Sequence, residues 1–249
     1  QNVELIQTDI SKIENLEPLF VGVDVVINCL GILHEARKGD FVKFHAKFVE
    51  DIVSSCNNQK VSKLIHLSAL KSSASAPSAY LRSKAAGEKI IAENLHKSIV
   101  SHILQPSVVF GDGDSFLSMF AKLANWLPLI PLAKPGAKFQ PIFVGDVTQT
   151  VMNCIFGDEK KSLIILCGPR QYALIDLVRY ATGFGRLSPV IIPLPNWAAY
   201  LQARTFELLQ INLITRDNLA SMSIDSTCED VASIASRRTI ESIAPSYLS

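Results

Sequence analysis

Short apolar runs alternate with segments of helical periodicity through the first two thirds of this chain. The apolar runs are residues 3–6, 25–30, 63–70 and 100–104. Strands that alternate with helices predict an α/β fold with a doubly wound parallel sheet. In such a sheet, ligands bind beyond the carboxyl ends of the strands. The residues at predicted strand ends are Asp9, Asn28, Ser68 and Pro106.

Beyond Gly111 the alternation becomes less regular and prolines are more frequent. We interpret residues 1–112 as a Rossmann-like domain and residues 113–222 as a smaller α/β lobe, interleaved with it, on the substrate or partner side. Within this lobe we expect strands at 139–144 and 163–167 and amphipathic helices at 172–182 and 197–209. Residues 223–249 form a C-terminal tail, polar enough to be partly loose.

A tyrosine and a lysine occur four residues apart, at Tyr80 and Lys84, in a predicted helix that follows the strand ending at Ser68. This spacing places the phenol and the ammonium on one helix face. A neighbouring ammonium favours the phenolate, so we expect the pKa of Tyr80 to fall toward the range useful for acid–base catalysis. Ser68 could then hydrogen-bond a substrate oxygen. The alternative is a chance pair on a surface helix, because the motif is short.

Composition and spacing exclude several classes of protein. A net charge of +1, with no basic run longer than Arg237-Arg238, argues against a nucleic-acid partner. The five histidines and five cysteines lack metal-ligand spacing, so no metal site is predicted. Because the cysteines are widely spaced and mostly in apolar segments, we expect buried thiols in a reducing compartment.

No run of about 18 uncharged apolar residues is present, so no transmembrane span is predicted. Residues 116–133 come nearest, but Lys122, Asn125, Pro128 and Pro131 interrupt them. This segment could contact a membrane peripherally, dock on a partner, line a pocket or lie in the core. No signal or transit segment is visible at the start of the chain.

A dinucleotide site needs a glycine-rich turn after its first strand, where backbone N–H groups hold the pyrophosphate. Neither G-x-G-x-x-G nor G-x-x-G-x-x-G occurs in this sequence, and the Gly111–Asp114 segment is too short and too acidic for that purpose. Either the protein binds no nucleotide, or its first β-α-β unit, with this turn, precedes the residues given. The second alternative agrees with a start at Gln1 rather than Met, and we expect it.

Several motifs resemble the extended and atypical short-chain dehydrogenase/reductase superfamily. They are Asp9 after a predicted strand, the 28–31 segment Asn-Cys-Leu-Gly, Ser68, the Tyr80/Lys84 pair and the 105–111 segment Gln-Pro-Ser-Val-Val-Phe-Gly. Within it, the chain is most similar to the NAD(P)H-binding accessory subunits of respiratory complex I and their alphaproteobacterial relatives. The segments that carry this closer resemblance are 113–117, 138–147, 167–172, 213–218 and 243–248.

The resemblance implies a pyridine nucleotide, NADP(H) or NAD(H), together with the residues that hold it. Asp9 would lie at the adenine, and Asn28 and Gly31 near the ribose. Ser68, Tyr80 and Lys84 would lie at the nicotinamide end and include the catalytic groups. Pro106 and Val108 would flank the nicotinamide ring.

Three functions are consistent with these residues. The first is a complex I accessory or assembly-type subunit that holds the nucleotide for structure. It would lie at the bacterial inner-membrane face or on the matrix side of the mitochondrial inner membrane. The second is an oxidoreductase or nucleotide-sugar epimerase in which Tyr80 exchanges a proton. The third is a redox-sensing regulator that binds the nucleotide without chemistry.

Overall fold

The fold is taken from a computed structural model that describes residues 3–9, 16–157, 159, 162–211, 213–229 and 237–248. Its main sheet has the strand order β1-β2-β3-β8, and neighbouring strands are parallel. The strands are β1 (Val25–Asn28), β2 (Lys63–Leu67), β3 (Val100–Pro106), β4 (Val109–Phe110), β5 (Leu129–Leu132), β6 (Lys138–Phe139), β7 (Ile142–Phe143), β8 (Leu163–Leu166), β9 (Tyr172–Ala173) and β10 (Val190–Pro193). The predicted α/β fold with a parallel sheet is confirmed.

Helices connect these strands. They are α1 (Asp40–Val42), α2 (Phe48–Gln59), α3 (Ala79–Asn94), α4 (Leu117–Leu123), α5 (Val144–Phe156), α6 (Leu174–Thr182), α7 (Asn196–Leu208), α8 (Arg216–Ser221), α9 (Ile240–Ile243) and α10 (Pro245–Leu248). A π-helical turn over Lys43–Lys47 joins α1 to α2, and a 3-10 turn covers Glu17–Phe20.

The main sheet lies between two helical layers because alternate strand residues point to opposite faces. Leu64 and Ile103 pack against α2 and α3 on one face, where Ile52 and Ile91 complete the cluster. On the other face, apolar residues of β2, β3 and β8 pack against α5. They are Ile65, Leu104 and Leu166. Burial on both faces explains why the strands read as continuous apolar runs.

The second lobe has a core of its own, in which Leu117 and Phe120 of α4 contact Leu177 and Val178 of α6. Its small sheets pair β5 with β10, β4 with β7, and β6 with β9. The C-terminal helices pack onto the same core through apolar side chains. These are Ile240, Ala244 and Leu248. The described end of the chain is therefore packed, and the expectation that part of the tail is loose stays a prediction.

Three expectations differ from the structure. Residues 3–6 form no strand and their side chains are exposed, because no described strand lies beside them to pair with. The predicted strand 139–144 is two short strands separated by Gln140 and Pro141. Cys167 and Cys228 form a disulfide, so these two cysteines are not the free thiols predicted, whereas Cys56 and Cys154 are buried thiols.

The apolar segment 116–133 divides between two environments. Its first half is α4, which packs into the core of the second lobe. Its second half exposes Trp126, Leu127 and Leu129. In the described part of the chain, no helix has the length and apolar character required to cross a membrane.

Candidate functional site

The carboxyl ends of β1 and β2 face the first turns of α3, and the residues between them form the candidate site. Lys84 projects from α3 and is buried, and its Nζ donates a hydrogen bond to the Leu67 carbonyl oxygen at 2.7 Å. Burial lowers the pKa of Lys84 to about 8, and the nearby Glu88 and Cys29 oppose this shift. A buried ammonium with a shifted pKa is a common feature of binding sites.

Tyr80 lies one turn before Lys84, in the first turn of α3. Its ring contacts the rings of Phe41 at 5.9 Å and His45 at 5.6 Å, measured between centroids. Burial raises the pKa of Tyr80 to about 12. The expected lowering by Lys84 is therefore wrong in this structure, because the cost of burying a phenolate dominates. The Tyr80 hydroxyl has no hydrogen-bond partner among the residues described.

Ser68 follows β2 at the predicted place, but its hydroxyl is engaged elsewhere. It donates to Glu88, which lies one turn beyond Lys84 on α3. The amide of Gln105 donates to the same carboxylate, at 2.9 Å and 3.0 Å from its two oxygens. Ser68 thus anchors β2 to α3, and a contact of its hydroxyl with a substrate stays a prediction. Its next neighbour, Ala69, has no polar side chain.

Asn28 and Gly31 lie in and after β1. Asn28 is buried, its amide nitrogen donates to His66 Nδ1 at 3.0 Å, and its side-chain oxygen accepts from the backbone of Leu30 at 3.0 Å. The side chain therefore fixes the turn that follows the strand. A Cβ at Gly31 would lie 3.6 Å from Lys84 Nζ and 3.8 Å from His45 Nε2. The absence of a side chain leaves space directly in front of the ammonium.

The structure shows less about how the other predicted cofactor-binding residues would contact a nucleotide. Pro106 ends β3, and its carbonyl oxygen accepts a hydrogen bond from the Leu70 backbone at 2.9 Å. Val108 is partly buried and bonds through its carbonyl oxygen to the Ile142 backbone at 2.9 Å. Asp9 is exposed and follows residues that form no strand. The proposed contacts of these three residues with a nucleotide remain predictions.

His45 is a site residue that the sequence did not reveal. The Ile32 backbone N–H donates to His45 Nε2 at 3.0 Å, so Nδ1 carries the proton of the neutral ring. His45 Nδ1 then donates to the Ser83 hydroxyl at 2.8 Å, and Ser83 donates to the Tyr80 carbonyl oxygen at 2.7 Å. Burial and Lys84 lower the pKa of His45 to about 3. The neutral ring thus links the loop after β1 to α3.

Two other contacts that position α3 also lie outside any local motif. The carboxylate of Asp217, in α8, accepts hydrogen bonds from the backbone of Ala79 at 2.6 Å and of Tyr80 at 3.0 Å. A Cβ at Gly87 would lie 2.3 Å from the His45 carbonyl oxygen, so only glycine allows α3 to approach the π-helical turn this closely.

The site fits the ribose and nicotinamide end of a dinucleotide. An ammonium can donate three hydrogen bonds, and Lys84 uses one of them on Leu67. Because Gly31 has no Cβ beside the ammonium, ribose hydroxyls would be able to approach the remaining donors. The glycine-rich turn that would hold a pyrophosphate is not in this sequence. The described residues contain no cluster of side chains able to hold a metal ion.

Comparison with known proteins shows what the whole chain is similar to. No family model matches the chain. Mitochondrial NADH dehydrogenase (ubiquinone) 1 alpha subcomplex subunit 9 of Mus musculus is 34% identical over 175 residues, which are 69% of this chain and 45% of the mouse protein. The chain is a distant homologue of this complex I subunit. It spans about half the length of the curated relatives it matches.

Several solved structures share the Rossmann-like fold of this chain. Epimerase Mth375 of Methanothermobacter thermautotrophicus has a TM-score of 0.65 at 16% identity, covering 80% of this chain and 68% of its own. The Bordetella bronchiseptica enzyme WbmG, solved with NAD, has a TM-score of 0.60 at 12% identity, covering 76% of this chain and 66% of its own. These likenesses show that the chain shares its fold with these solved structures.

Proposed function

We propose that this chain is an NAD(P)H-binding accessory or assembly-type subunit of respiratory complex I, in which the nucleotide is held mainly for structure. The observation that carries the proposal is its homology, over 69% of its length, to a protein named as a complex I subunit. The Lys84 site, on a fold shared with an NAD complex, supports the cofactor class.

In this proposal, each residue of the site has a defined task. Lys84 donates to ribose hydroxyls, and Gly31 leaves room for them. Asn28 holds the loop that would face the ribose. His45 and Asp217 fix the position of Tyr80 from the two ends of the site. A bound pyridine nucleotide would supply a hydride-carrying ring, and the protein would supply its orientation.

Two observations favour a structural nucleotide over turnover. With a pKa of about 12, Tyr80 is poorly matched to acid–base catalysis at neutral pH. In addition, the hydroxyl of Ser68 is committed to Glu88 and would not be available to a substrate oxygen. A site in which Tyr80 keeps its proton at neutral pH and Ser68 is bonded to Glu88 is better suited to holding a nucleotide than to catalysing a reaction.

The alternative is an NAD(P)-dependent oxidoreductase or nucleotide-sugar epimerase. The unpartnered hydroxyl of Tyr80 favours it, because a substrate oxygen would then be its hydrogen-bond partner. When nucleotide and substrate are bound, the positive charge of Lys84 close to the phenol would also favour the phenolate form of Tyr80. Turnover of a nucleotide sugar by the intact protein would decide for this alternative.

An exposed apolar face supports peripheral contact with the membrane or the membrane arm of the complex. Leu129 pairs with Val190 in the β5–β10 sheet, and both point outward with exposures of 52% and 61%. Ile192, on the same face, is 42% exposed, and Trp126 precedes β5 with an exposure of 81%. The inward residues of these strands pack on the core. We refer to these four outward side chains as the β5–β10 face.

In the two sequence stretches that contribute the β5–β10 face, all the charged residues are basic. No Asp or Glu occurs between Asp114 and Asp146, or between Asp176 and Glu207. The Lys and Arg residues within these two stretches are Lys122, Lys134, Lys138, Arg179, Arg186 and Arg204. An apolar surface with an exposed Trp and basic surroundings suits an anionic lipid interface. We therefore place the protein at the bacterial inner-membrane face or on the matrix side of the mitochondrial inner membrane.

The proposal is tested on the full-length protein in its native membrane. Affinity purification should recover NADH:ubiquinone oxidoreductase activity together with the protein, and the purified complex should release a pyridine nucleotide on denaturation. Recovery of the protein alone, with turnover of a nucleotide sugar, would favour the alternative function.

The contribution of Lys84 is tested by substitution in the same full-length protein. Lys84→Met should weaken nucleotide binding by about 10- to 100-fold, since a hydrogen bond from a charged donor is worth about 1.5–3 kcal/mol. Lys89→Met provides the matched control, because Lys89 is exposed on the same helix and pairs with Glu93. Equal affinities of the two variants would contradict the proposed site.

A further inference from the structure

The disulfide between Cys167 and Cys228 has no task in the proposed function. Cys167 directly follows β8, and Cys228 lies 61 residues later, beyond α8. The Cα atoms are 6.2 Å apart, within the usual range for a disulfide. Both cysteines pack against Leu70, two residues beyond Ser68. The bond therefore lies at the carboxyl end of the sheet, on the side of the candidate site.

The segment that ends at Cys228 is also hydrogen-bonded to the sheet end. The Ser226 N–H donates to the Lys138 carbonyl oxygen at 2.8 Å, and the Cys228 N–H donates to Gln140 Oε1 at 2.8 Å. The Ser107 hydroxyl donates to the Ser226 carbonyl oxygen at 2.9 Å. These bonds and the disulfide together hold the chain that leaves α8.

Helix α8 in turn contacts both walls of the candidate site. Asp217 accepts the backbone hydrogen bonds of Ala79 and Tyr80 at the start of α3. The Asn218 amide donates to the Leu33 carbonyl oxygen at 3.2 Å, in the loop after β1 that includes Gly31. A restraint on α8 is therefore a restraint on the two segments that flank Lys84.

We propose that Cys167 and Cys228 form a redox latch for the nucleotide site, an inference that rests on the proposed function. In the disulfide form, α8 is tethered to the sheet end and holds α3 and the β1 loop in their binding positions. In the dithiol form, α8 is less restrained, and pyridine nucleotide binds more weakly.

The reductant is a protein or small-molecule dithiol. Its thiolate attacks the sulfur of Cys228, which is 9% exposed whereas Cys167 is fully buried, and forms a mixed disulfide. Cys167 leaves as a thiolate and takes up a proton. The second thiol of the reductant then attacks the mixed disulfide, and Cys228 leaves and is protonated. Two electrons and two protons pass to the protein, and the reductant becomes a disulfide.

A nearby cation favours this reaction. The guanidinium of Arg237 donates a hydrogen bond to the Cys167 carbonyl oxygen and is half-buried. Its positive charge lies beside the cysteine that leaves as a thiolate, and a neighbouring cation lowers the free energy of a thiolate. The Cys167–Cys228 disulfide should therefore be reduced more readily than a disulfide with no cation nearby.

The test equilibrates the full-length protein in buffers of reduced and oxidised dithiothreitol and measures NADPH binding by fluorescence. Trapping with a maleimide reports the thiols. Full reduction should weaken NADPH binding by about ten-fold, within the usual range of coupling between two sites. By reciprocity, saturating NADPH should lower the reduction potential of the pair by about 30 mV, the equivalent of ten-fold for two electrons.

Hydrogen exchange supplies a readout that does not depend on nucleotide. The Ala79 and Tyr80 amides should exchange faster in the reduced protein and in the Cys228→Ser variant, whereas Cys154→Ser, at a free thiol in α5, should keep the redox response. A pair that resists reduction until the protein unfolds would overturn the latch, as would reduction that leaves amide exchange and NADPH affinity unchanged. A protein that shows the exchange response but no NADPH affinity in either form would instead refute the proposed function.

Discussion

The carboxylate of Asp217 accepts a hydrogen bond from the backbone N–H of Tyr80 at 3.0 Å, although 137 residues separate them in sequence. Ser78 caps the same helix end locally, since its hydroxyl accepts from the Leu81 N–H at 3.1 Å. The first turn of α3 thus has two sources of acceptors, one local and one from α8. A carboxylate at this end also interacts favourably with the helix dipole.

Loss of the distant cap should destabilise the protein measurably. Asp217→Ala should lower the free energy of unfolding by about 1 kcal/mol, because two backbone donors lose their acceptor. Urea denaturation measures the change. Asp176→Ala is the control, since Asp176 pairs only with the exposed Arg179 at 3.5 Å and should change stability by less than about 0.5 kcal/mol. Equal effects of the two substitutions would show that the cap is energetically unimportant.

Because α3 approaches the π-helical turn closely, alanine substitutions at two glycines should differ strongly in their effect on stability. Gly87→Ala should cost about 1–3 kcal/mol, because its Cβ would meet the His45 carbonyl oxygen at 2.3 Å. Gly136→Ala should be neutral or slightly stabilising, because nothing lies within 4 Å of a Cβ there. Thermal denaturation of both variants checks the pair, and a tolerated Gly87→Ala would contradict the observed packing.

The lowered pKa of Lys84 predicts how stability depends on pH. The folded pKa is about 8 and the reference value is 10.5, so the unfolded chain binds more protons between these values. Stability therefore rises with pH from about 8 to 10.5, by up to about 3 kcal/mol. The comparison is with Lys84→Met, because subtraction removes the titration of other groups. A difference between the two proteins that stays flat over this window would show that Lys84 titrates normally.

The β5–β10 face predicts binding to anionic membranes. Ile192→Asp, which adds a charge to the face, should reduce binding of the full-length protein to vesicles that contain phosphatidylglycerol by at least about ten-fold. Phe156→Asp is the matched control, because Phe156 is an exposed apolar residue at the end of α5, outside the two stretches without acidic residues. Flotation assays measure both. Unchanged vesicle binding with loss of co-purified complex I would instead assign the face to a protein partner.

Periodicity in the sequence predicts the main sheet well because strands buried on both faces carry continuous apolar runs. Three of the four early runs, those at 25–30, 63–70 and 100–104, contain β1, β2 and β3. The run at 3–6 has the same composition but forms no strand in the described chain, since a strand needs a hydrogen-bonding neighbour. Composition reports that a segment can be a strand, and the tertiary structure decides whether it is one.

The candidate site was predictable only where its residues lie within one turn of each other. The Tyr80 and Lys84 spacing placed both on α3, and extending the same spacing one further turn would have found Glu88. No local signal points to His45, which depends on a π-helical turn, or to Asp217, which reaches α3 through tertiary packing. The direction of the Tyr80 pKa depended on burial, which the sequence could not supply.

The strands β3 and β8 are neighbours, and Ile103 pairs with Leu163, although much of the second lobe is inserted between them. Closing a loop of this size costs chain entropy before any contact between the strands forms, so the last strand of the sheet joins late in folding. Until then, the side of β3 that later pairs with β8 is an open strand edge, which another chain could pair with.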